Sequence, residues 1–316
     1  MRQSRIAVLG LCVALGACGQ KFVAHEGGAG GDGGVSSAGR NDDHAAGEVE
    51  AGGSAGDGKS ADAGDAGSET GGVGGGGSGG AIEPMLPPLG LSVWLRADRG
   101  IQQKDGHVQA WQDQSGNQTN ATQESVSASP TYLATGFSGR PTLEFDGQGQ
   151  FLKFADGFGD FSKGLAGLIV AKPTKSECAS MVEFSNGSEI DDVAFGMWQN
   201  KWTYEVESPF IQSGNVDRER FSLYAVDHRL IGVADLRIDG TILSSLEMPL
   251  PRSGIRLNNF VGHTLYGSGC EYFEGQISEI ILYSRALSNA ELSVIEKYLD
   301  AHWALSEQGA PTPTPG

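Results

Sequence analysis

An all-β body closed by one short helix is the fold this sequence predicts, and three observations predict it. From Leu91 onward apolar residues recur with period two in short runs. The runs are rich in Val, Ile, Phe, Tyr and Trp, and Gly, Asn, Asp or Pro separates them. Only one segment carries helical start signals and an apolar stripe. About a dozen strands with almost no helix make a sandwich or a barrel.

Taken in order, Leu91, Val93 and Leu95 alternate with polar or outward positions and open the series. Val108–Gln112, Thr142–Asp146, Phe151–Ala155, Gly167–Ala171 and Ser180–Phe184 follow. Val193–Met197, Lys201–Val206, Ser222–Asp227, Val233–Ile238, Asn259–Gly262 and Gln276–Tyr283 complete it. The helix begins at Ser288, a good N-cap, and Glu291 three residues on completes a capping box. Leu287 and Leu292 stand where a hydrophobic staple places them, and Leu292, Ile295 and Leu299 form an apolar stripe with Trp303 beyond.

The first quarter of the 316-residue chain has a different character. Arg2 and Arg5 precede a short apolar run from Ile6 to Leu15, which ends in Leu15-Gly16-Ala17-Cys18. Such a run is too short to span a bilayer and reads as a signal peptide over 1–17. Small residues before Cys18 resemble the bacterial lipobox, whose Cys is acylated on cleavage. An ordinary secretory signal leaving Cys18 as a free thiol is the alternative. Residues 18–87 read as the lipidated Cys and a tether. No Phe, Trp or Tyr occurs between Phe22 and Trp94, and Gly, Ala, Ser and acidic residues dominate. Such a stretch cannot bury enough apolar surface to offset its conformational entropy. As a coil it reaches roughly 45 Å. Its Gly runs lack the strand, helix and Lys of a phosphate loop. The foldable body spans 88–306, and 307–316 is a Pro/Thr tail.

The chain has four Cys. With Cys12 in the signal and Cys18 lipidated, Cys178 and Cys270 remain, and in an oxidising compartment a disulfide is their natural reading. Two buried thiols are the alternative. The bridge closes a loop of about ninety residues and stabilises by roughly 4 kcal/mol on the chain-entropy account. The formal charge of −17 repels phosphate backbones and excludes nucleic acid as an expected partner. The membrane is expected as a partner through the lipid alone. The residue after Cys18 is Gly19, not the Asp that retains many lipoproteins in the inner membrane, so the outer membrane or cell surface is the expected location.

Four patterns then appear in order: Val93-Trp94-Leu95-Arg96-Ala97-Asp98, Trp111-Gln112-Asp113-Gln114-Ser115-Gly116-Asn117, Gly139 to Gly147, and Phe273 to Ser288. On these the body, from Leu91 to Leu305, resembles the concanavalin A-like, laminin-G-like jelly rolls of bacterial surface proteins. The resemblance implies two antiparallel sheets packed face to face, the last long strand leading into a capping helix. It also implies calcium, held by Asp side chains, Asn and carbonyls. The candidate ligands are Asp113, Asn117 and Asn120 on one loop, with Asp98 near. The same residue types also build Asx turns.

Some relatives on this fold are glycoside hydrolases carrying Glu-x-Asp-x-x-Glu on a strand. Glu189-Ile190-Asp191-Asp192-Val193-Ala194 matches two positions, but Ala194 replaces the third carboxylate, and Asn186-Gly187-Ser188 before it reads as a turn. A pair of carboxyls is what the chemistry requires, so no catalytic set is expected. Aromatics are the candidate ligand residues: Trp198, Trp202 and Tyr204. A turn at Gln199-Asn200 makes Met197 and Trp202, and Trp198 and Lys201, cross-strand partners. Exposed, these rings stack on sugars or on a protein partner; buried, they fill the core. The expected function is a surface-displayed, non-catalytic binding domain for a glycan or a protein. A hydrolase on the same fold and a structural envelope component are the alternatives.

Overall fold

The computed structural model describes residues 85–175, 178–267 and 269–308. Cys18, the signal and nearly all of the expected tether lie outside the described residues, as does the tail from residue 309.

Among the described residues the strands are β1 (Leu91–Arg96), β2 (Ile101–Lys104), β3 (His107–Trp111), β4 (Ala121–Thr122), β5 (Thr131–Phe137), β6 (Arg140–Asp146), β7 (Leu152–Phe154), β8 (Leu165–Pro173) and β9 (Cys178–Ser185). They continue with β10 (Val193–Trp198), β11 (Lys201–Val206), β12 (Phe210–Asn215), β13 (Ser222–Arg229), β14 (Val233–Ile238), β15 (Thr241–Glu247), β16 (Asn258–Val261) and β17 (Glu274–Tyr283), before helix α1 (Asn289–Trp303). Strands β2, β4, β5, β12 and β15 have no counterpart among the expected runs. Strand β4 has two residues, Ser213-Gly214 interrupts β12, and β15 (TILSSLE) is exposed at six of seven positions, which leaves no apolar alternation to read.

All pairings are antiparallel, and the strands form one continuous, nearly closed network with two long arms. One arm runs β15-β14-β13-β8-β17. The free edge of β17 pairs with β6 through Glu274–Ile277 and with β1 through Glu279–Tyr283. The other arm runs β12-β11-β10-β9-β16-β7-β4-β3-β2. Strand β5 joins the arms: it pairs with β6 and meets β3 at the single bridge His107–Thr131. The apolar faces of the arms meet in one core. Strand β8 is buried at eight of nine positions, because it is covered on both faces.

Helix α1 has the expected capping box. Ser288 Oγ accepts from the Glu291 amide, and the Glu291 side chain accepts from the Ser288 amide at 2.8 Å. Leu292, Ile295, Leu299 and Trp303 form its buried stripe. What locks it to the sheet is a carboxylate. Glu279 of β17 is fully buried and accepts from Trp94 Nε1 at 2.6 Å, Trp303 Nε1 at 2.6 Å and Tyr298 Oη at 2.9 Å. Beyond residue 306 packing continues: the Gln308 side-chain amide pairs with both backbone groups of Phe221, each at 2.9 Å.

Replacing Glu279 with Leu leaves three buried donors without an acceptor, each worth about 1–3 kcal/mol. The variant is expected to lose ~3 kcal/mol or more of stability, read as a lowered urea midpoint with an unchanged slope.

Candidate functional site

Strands β9, β10, β11 and β12 build the candidate site. Inward positions are set by contacts across the core. Trp202 Nε1 donates to Ala225 O of β13 at 3.4 Å, and Tyr204 Oη bonds His228 Nδ1, also on β13, at 3.0 Å. A side chain at Gly167 on β8 would strike the Phe195 ring. Phe195, Trp202 and Tyr204 therefore point into the core, and strand alternation turns their neighbours to the outer face.

This settles the three candidate rings. The Gln199-Asn200 turn exists, with φ of 53° and 61°, and pairs Met197 with Trp202 and Trp198 with Lys201. Trp202 and Tyr204 are fully buried core residues, so they cannot stack on a ligand; their side of β11 is the closed one. Trp198 alone reaches the surface, at 38% exposure. It meets Tyr266 edge to face, with centroids 6.3 Å apart, and Tyr266 is 40% exposed. Sequence reasoning missed Tyr266, because a loop 68 positions away carries it.

That loop is held in place covalently. Cys178, the partner of Trp198 across β9 and β10, is disulfide-bonded to Cys270, with Cα atoms 5.1 Å apart. Thr264 N donates to Glu271 O at 2.9 Å and closes the loop's neck. The loop also roofs part of the outer face, since Leu265 N donates to Glu183 Oε1 at 3.2 Å.

The outer face carries one row in register: Glu183 on β9, Ala194 on β10, Glu205 on β11 and Phe210 on β12. Asp192 lies one step along, just before β10, and Gly196 one step the other way. Gly196 is required: a Cβ there would lie 2.2 Å from Ala179 O, where β9 bulges. Ala194 and Gly196 are the small residues of β10 between the carboxyl groups of β9 and β11, Gly196 itself buried, and Trp198 stands exposed at the end of the strand. The carboxyl groups disturb one another. Burial, then Glu183, pushes Asp192 up to about 8. Burial, then Glu183 and Glu189, pushes Glu205 up to about 7. Burial also raises Glu183, against hydrogen bonds from Thr264 and Leu265.

The hydrolase-like run does not meet this row as a unit. Glu189 and Asp191 sit in a turn at φ of 59° and 55°, and Gly187 bridges Ile190. Of the carboxyls that do share the outer face, Glu183 is 3% exposed and Asp192 is 7% exposed, so Glu205 is the open one.

The candidate calcium residues are elsewhere and are engaged. Asp113 Oδ1 accepts from the amides of Trp94 at 2.8 Å and Ser115 at 2.9 Å, and its Oδ2 from Ser115 Oγ at 2.7 Å and the Thr119 amide at 3.0 Å. Asn120 Oδ1 accepts from the Asp113 amide at 2.9 Å, and Asn117 aims its Nδ2 at Leu91 O at 2.7 Å. The oxygens that calcium needs already accept hydrogen bonds from the loop, so the set does not fit the ion. It is an Asx network pinning the loop to β1. Asp98 is paired with Arg96 at 2.9 Å and His302 at 3.0 Å, away from that loop. Among the described residues no group of three or more His, Cys, Asp or Glu is placed to hold a metal.

No protein-family model matches the chain, and no curated protein matches it. Solved structures are similar at low identity. The binding domain of Paraclostridial Mosquitocidal Protein 1 is 11% identical, over 67% of this chain and 52% of that one, with a TM-score of 0.47. This chain thus spans about half of that structure. Domain 4 of AbnA, an extracellular arabinanase from Geobacillus stearothermophilus in complex with arabinotriose, is 15% identical over 64% of this chain and 96% of that one, at 0.49. A Ruminococcus gnavus IT-sialidase CBM40 bound to alpha2,3 sialyllactose is 16% identical over 46% of this chain and 95% of that one, at 0.37. With every one of these scores below 0.5, the likenesses carry no inference about ligand or activity.

Two outcomes follow from this geometry. Asp192, Glu205 and Asp227, the last raised by burial to about 6, all protonate more readily folded than unfolded, where carboxyls titrate near about 4. These three carboxyls bind more protons in the folded chain between about pH 4 and pH 8, so their contribution to stability falls as pH rises through that window, against the smaller opposite trend of His228 and His263, which burial lowers. Glu291, held down to about 2 first by Arg285, acts below it. The melting temperature is expected to be higher at pH 5 than at pH 8, and Asp192→Asn is expected to flatten that slope. Millimolar calcium is expected to leave the melting temperature unchanged, whereas Asp113→Ala lowers it equally with and without the ion.

Proposed function

We propose that this chain is a non-catalytic glycan-binding protein, displayed from the bacterial envelope on a lipidated Cys18 and a Gly-rich tether. Its body is a jelly roll of the concanavalin A-like, laminin-G-like kind, the two arms acting as facing sheets. Contacts from β10 and β11 across the core to β8 and β13 support that reading.

The observation that carries the function is the exposed Trp198–Tyr266 pair at the end of β10, past the small residues Ala194 and Gly196. Two rings at right angles offer one face for stacking and one edge for packing, and sugars present flat C–H surfaces to such rings. Polar groups on the same face fix orientation: Lys201 as the cross-strand partner of Trp198, Gln212, whose Nε2 donates to Trp198 O at 3.1 Å, and Glu205 farther along β11. Absence of catalysis rests on the carboxyls. Hydrolysis of a glycosidic bond uses two carboxyls flanking the bond, and here one is open while its neighbours are roofed or buried.

Isothermal titration of the full chain against a panel of tetrasaccharides tests this. Trp198→Ala is expected to weaken binding by about tenfold or more while leaving the melting temperature within ~2 °C, because the ring is at the surface. Release of reducing ends that disappears in Glu205→Gln would instead establish an enzyme.

A further inference from the structure

We propose that the Cys178–Cys270 bridge is a redox latch on the aromatic site: Tyr266 meets Trp198 while the bridge is oxidised and leaves it when the bridge is reduced. The inference rests on the glycan reading above and names how that site is regulated.

Three observations carry it. The bridge enters the fold at the site itself. Cys178 is the register partner of Trp198 across β9 and β10, and Cys270 stands on the same loop as Tyr266. Second, the ties of that loop are unevenly spread. Its neck is zipped: His263 bridges Tyr272, Phe273 N donates to Gly262 O at 3.0 Å, and the His263 and Tyr272 rings stack with centroids 4.7 Å apart. Tyr266 N donates to Thr264 Oγ1 at 3.0 Å. Past it, the described ties up to Cys270 are the bridge and one exposed hydrogen bond, from Lys175 Nζ to Gly269 O at 2.8 Å. An exposed hydrogen bond holds little by itself. Third, the strands beneath are joined without the bridge. Strand β9 pairs with β10 along its length and with β16 from Asn258 to Val261, and Gly262 N donates to Met181 O at 2.9 Å. Reduction therefore frees the far half of the loop before it frees the strands. Cys178 is half-buried and Cys270 is 6% exposed, so the bridge is approached from Cys178. A dithiol reductant supplies two electrons and two protons, leaving two thiols here and its own disulfide as product. In a reducing compartment the site is incomplete, and oxidation after export completes it.

The test compares the full chain oxidised and held in dithiothreitol. Trp198 is the surface tryptophan, since Trp94, Trp111, Trp202 and Trp303 are at most 9% exposed, so acrylamide quenching of indole fluorescence reads it. Reduction is expected to steepen the quenching slope by about twofold. Tyr266→Ala is expected to steepen it as much in the oxidised chain, and reduction then adds nothing, because both act through one contact. Leu292→Ala lowers stability from within the α1 stripe and is expected to leave the oxidised slope unchanged, which separates loop release from general loosening. In titration with the tetrasaccharide panel, reduction is expected to weaken binding by about tenfold. Equal slopes, or equal affinities, in the two redox states would overturn the latch and leave the glycan reading standing. Reduction that steepens the slope of Tyr266→Ala as much as that of the unchanged chain would overturn it as well. No binding of the oxidised chain to any member of the panel would remove the glycan reading, and the quenching slopes would still decide the latch.

Discussion

The body of this protein depends on one buried carboxyl, Glu279. Its donors come from the two ends of the body: Trp94 lies 185 positions before it, and Trp303 lies 24 positions after it. Strand β1 and helix α1 therefore share a single acceptor, in addition to the β1–β17 ladder and the apolar stripe of α1. Burial raises the Glu279 pKa, and the three donors oppose that shift. A charged or partly charged oxygen pair in a dry interior is tolerated only when its lone pairs are used this fully. Beside it Arg96, Asp98 and His302 repeat the arrangement at the rim, again linking β1 to α1. The closed side of the molecule is thus polar at its centre, which fixes the helix in one orientation where apolar packing alone would allow several.

The open side is built by the opposite means. The outer face of β9 to β12 is bordered by the loop that carries Tyr266, tied there by the Cys178–Cys270 bridge and by the Leu265 amide on Glu183. Glu183, Ala194 and Glu205 fall in one row because β9, β10 and β11 pair in that register, and a shift of one residue would turn all three into the core. The β9 bulge opposite Phe195 and Gly196 brings the β9 backbone up against Gly196, where no side chain larger than hydrogen fits.

Much of this was legible in the sequence, and the limits are instructive. The helix was readable to its capping residue, because Ser288 and Glu291 act within one turn. The Gln199-Asn200 hairpin was readable, because two residues suited to positive φ sit between runs of period two. Alternation grouped Trp202 with Tyr204 on one face, but it does not say which face a second layer covers; that depends on β8 and β13. The five missed strands are short, interrupted or solvent-exposed, so they lack the apolar alternation that marks a half-buried strand. The Glu189-to-Ala194 run drew attention by its spacing, yet the carboxyls that share a face are 183, 192 and 205. Their meeting is a property of pairing register, which no single segment contains.

The outer-face carboxyls also oppose folding, which bears on why they are there. Burial pushes up the pKa of Glu183, and burial together with the neighbouring carboxyls, Glu183 foremost, pushes up Asp192 and Glu205, so each is easier to ionise in the unfolded chain. An apolar row in their place would pack with less strain against Phe210 and Phe260. Stability is given up at this patch, as it is at Asp227 and Glu279, while the adjoining surface ends in an accessible indole. Groups whose charge is penalised in the free protein gain most when something brings a donor or a positive charge to them, because binding then relieves the same repulsion that folding had to overcome.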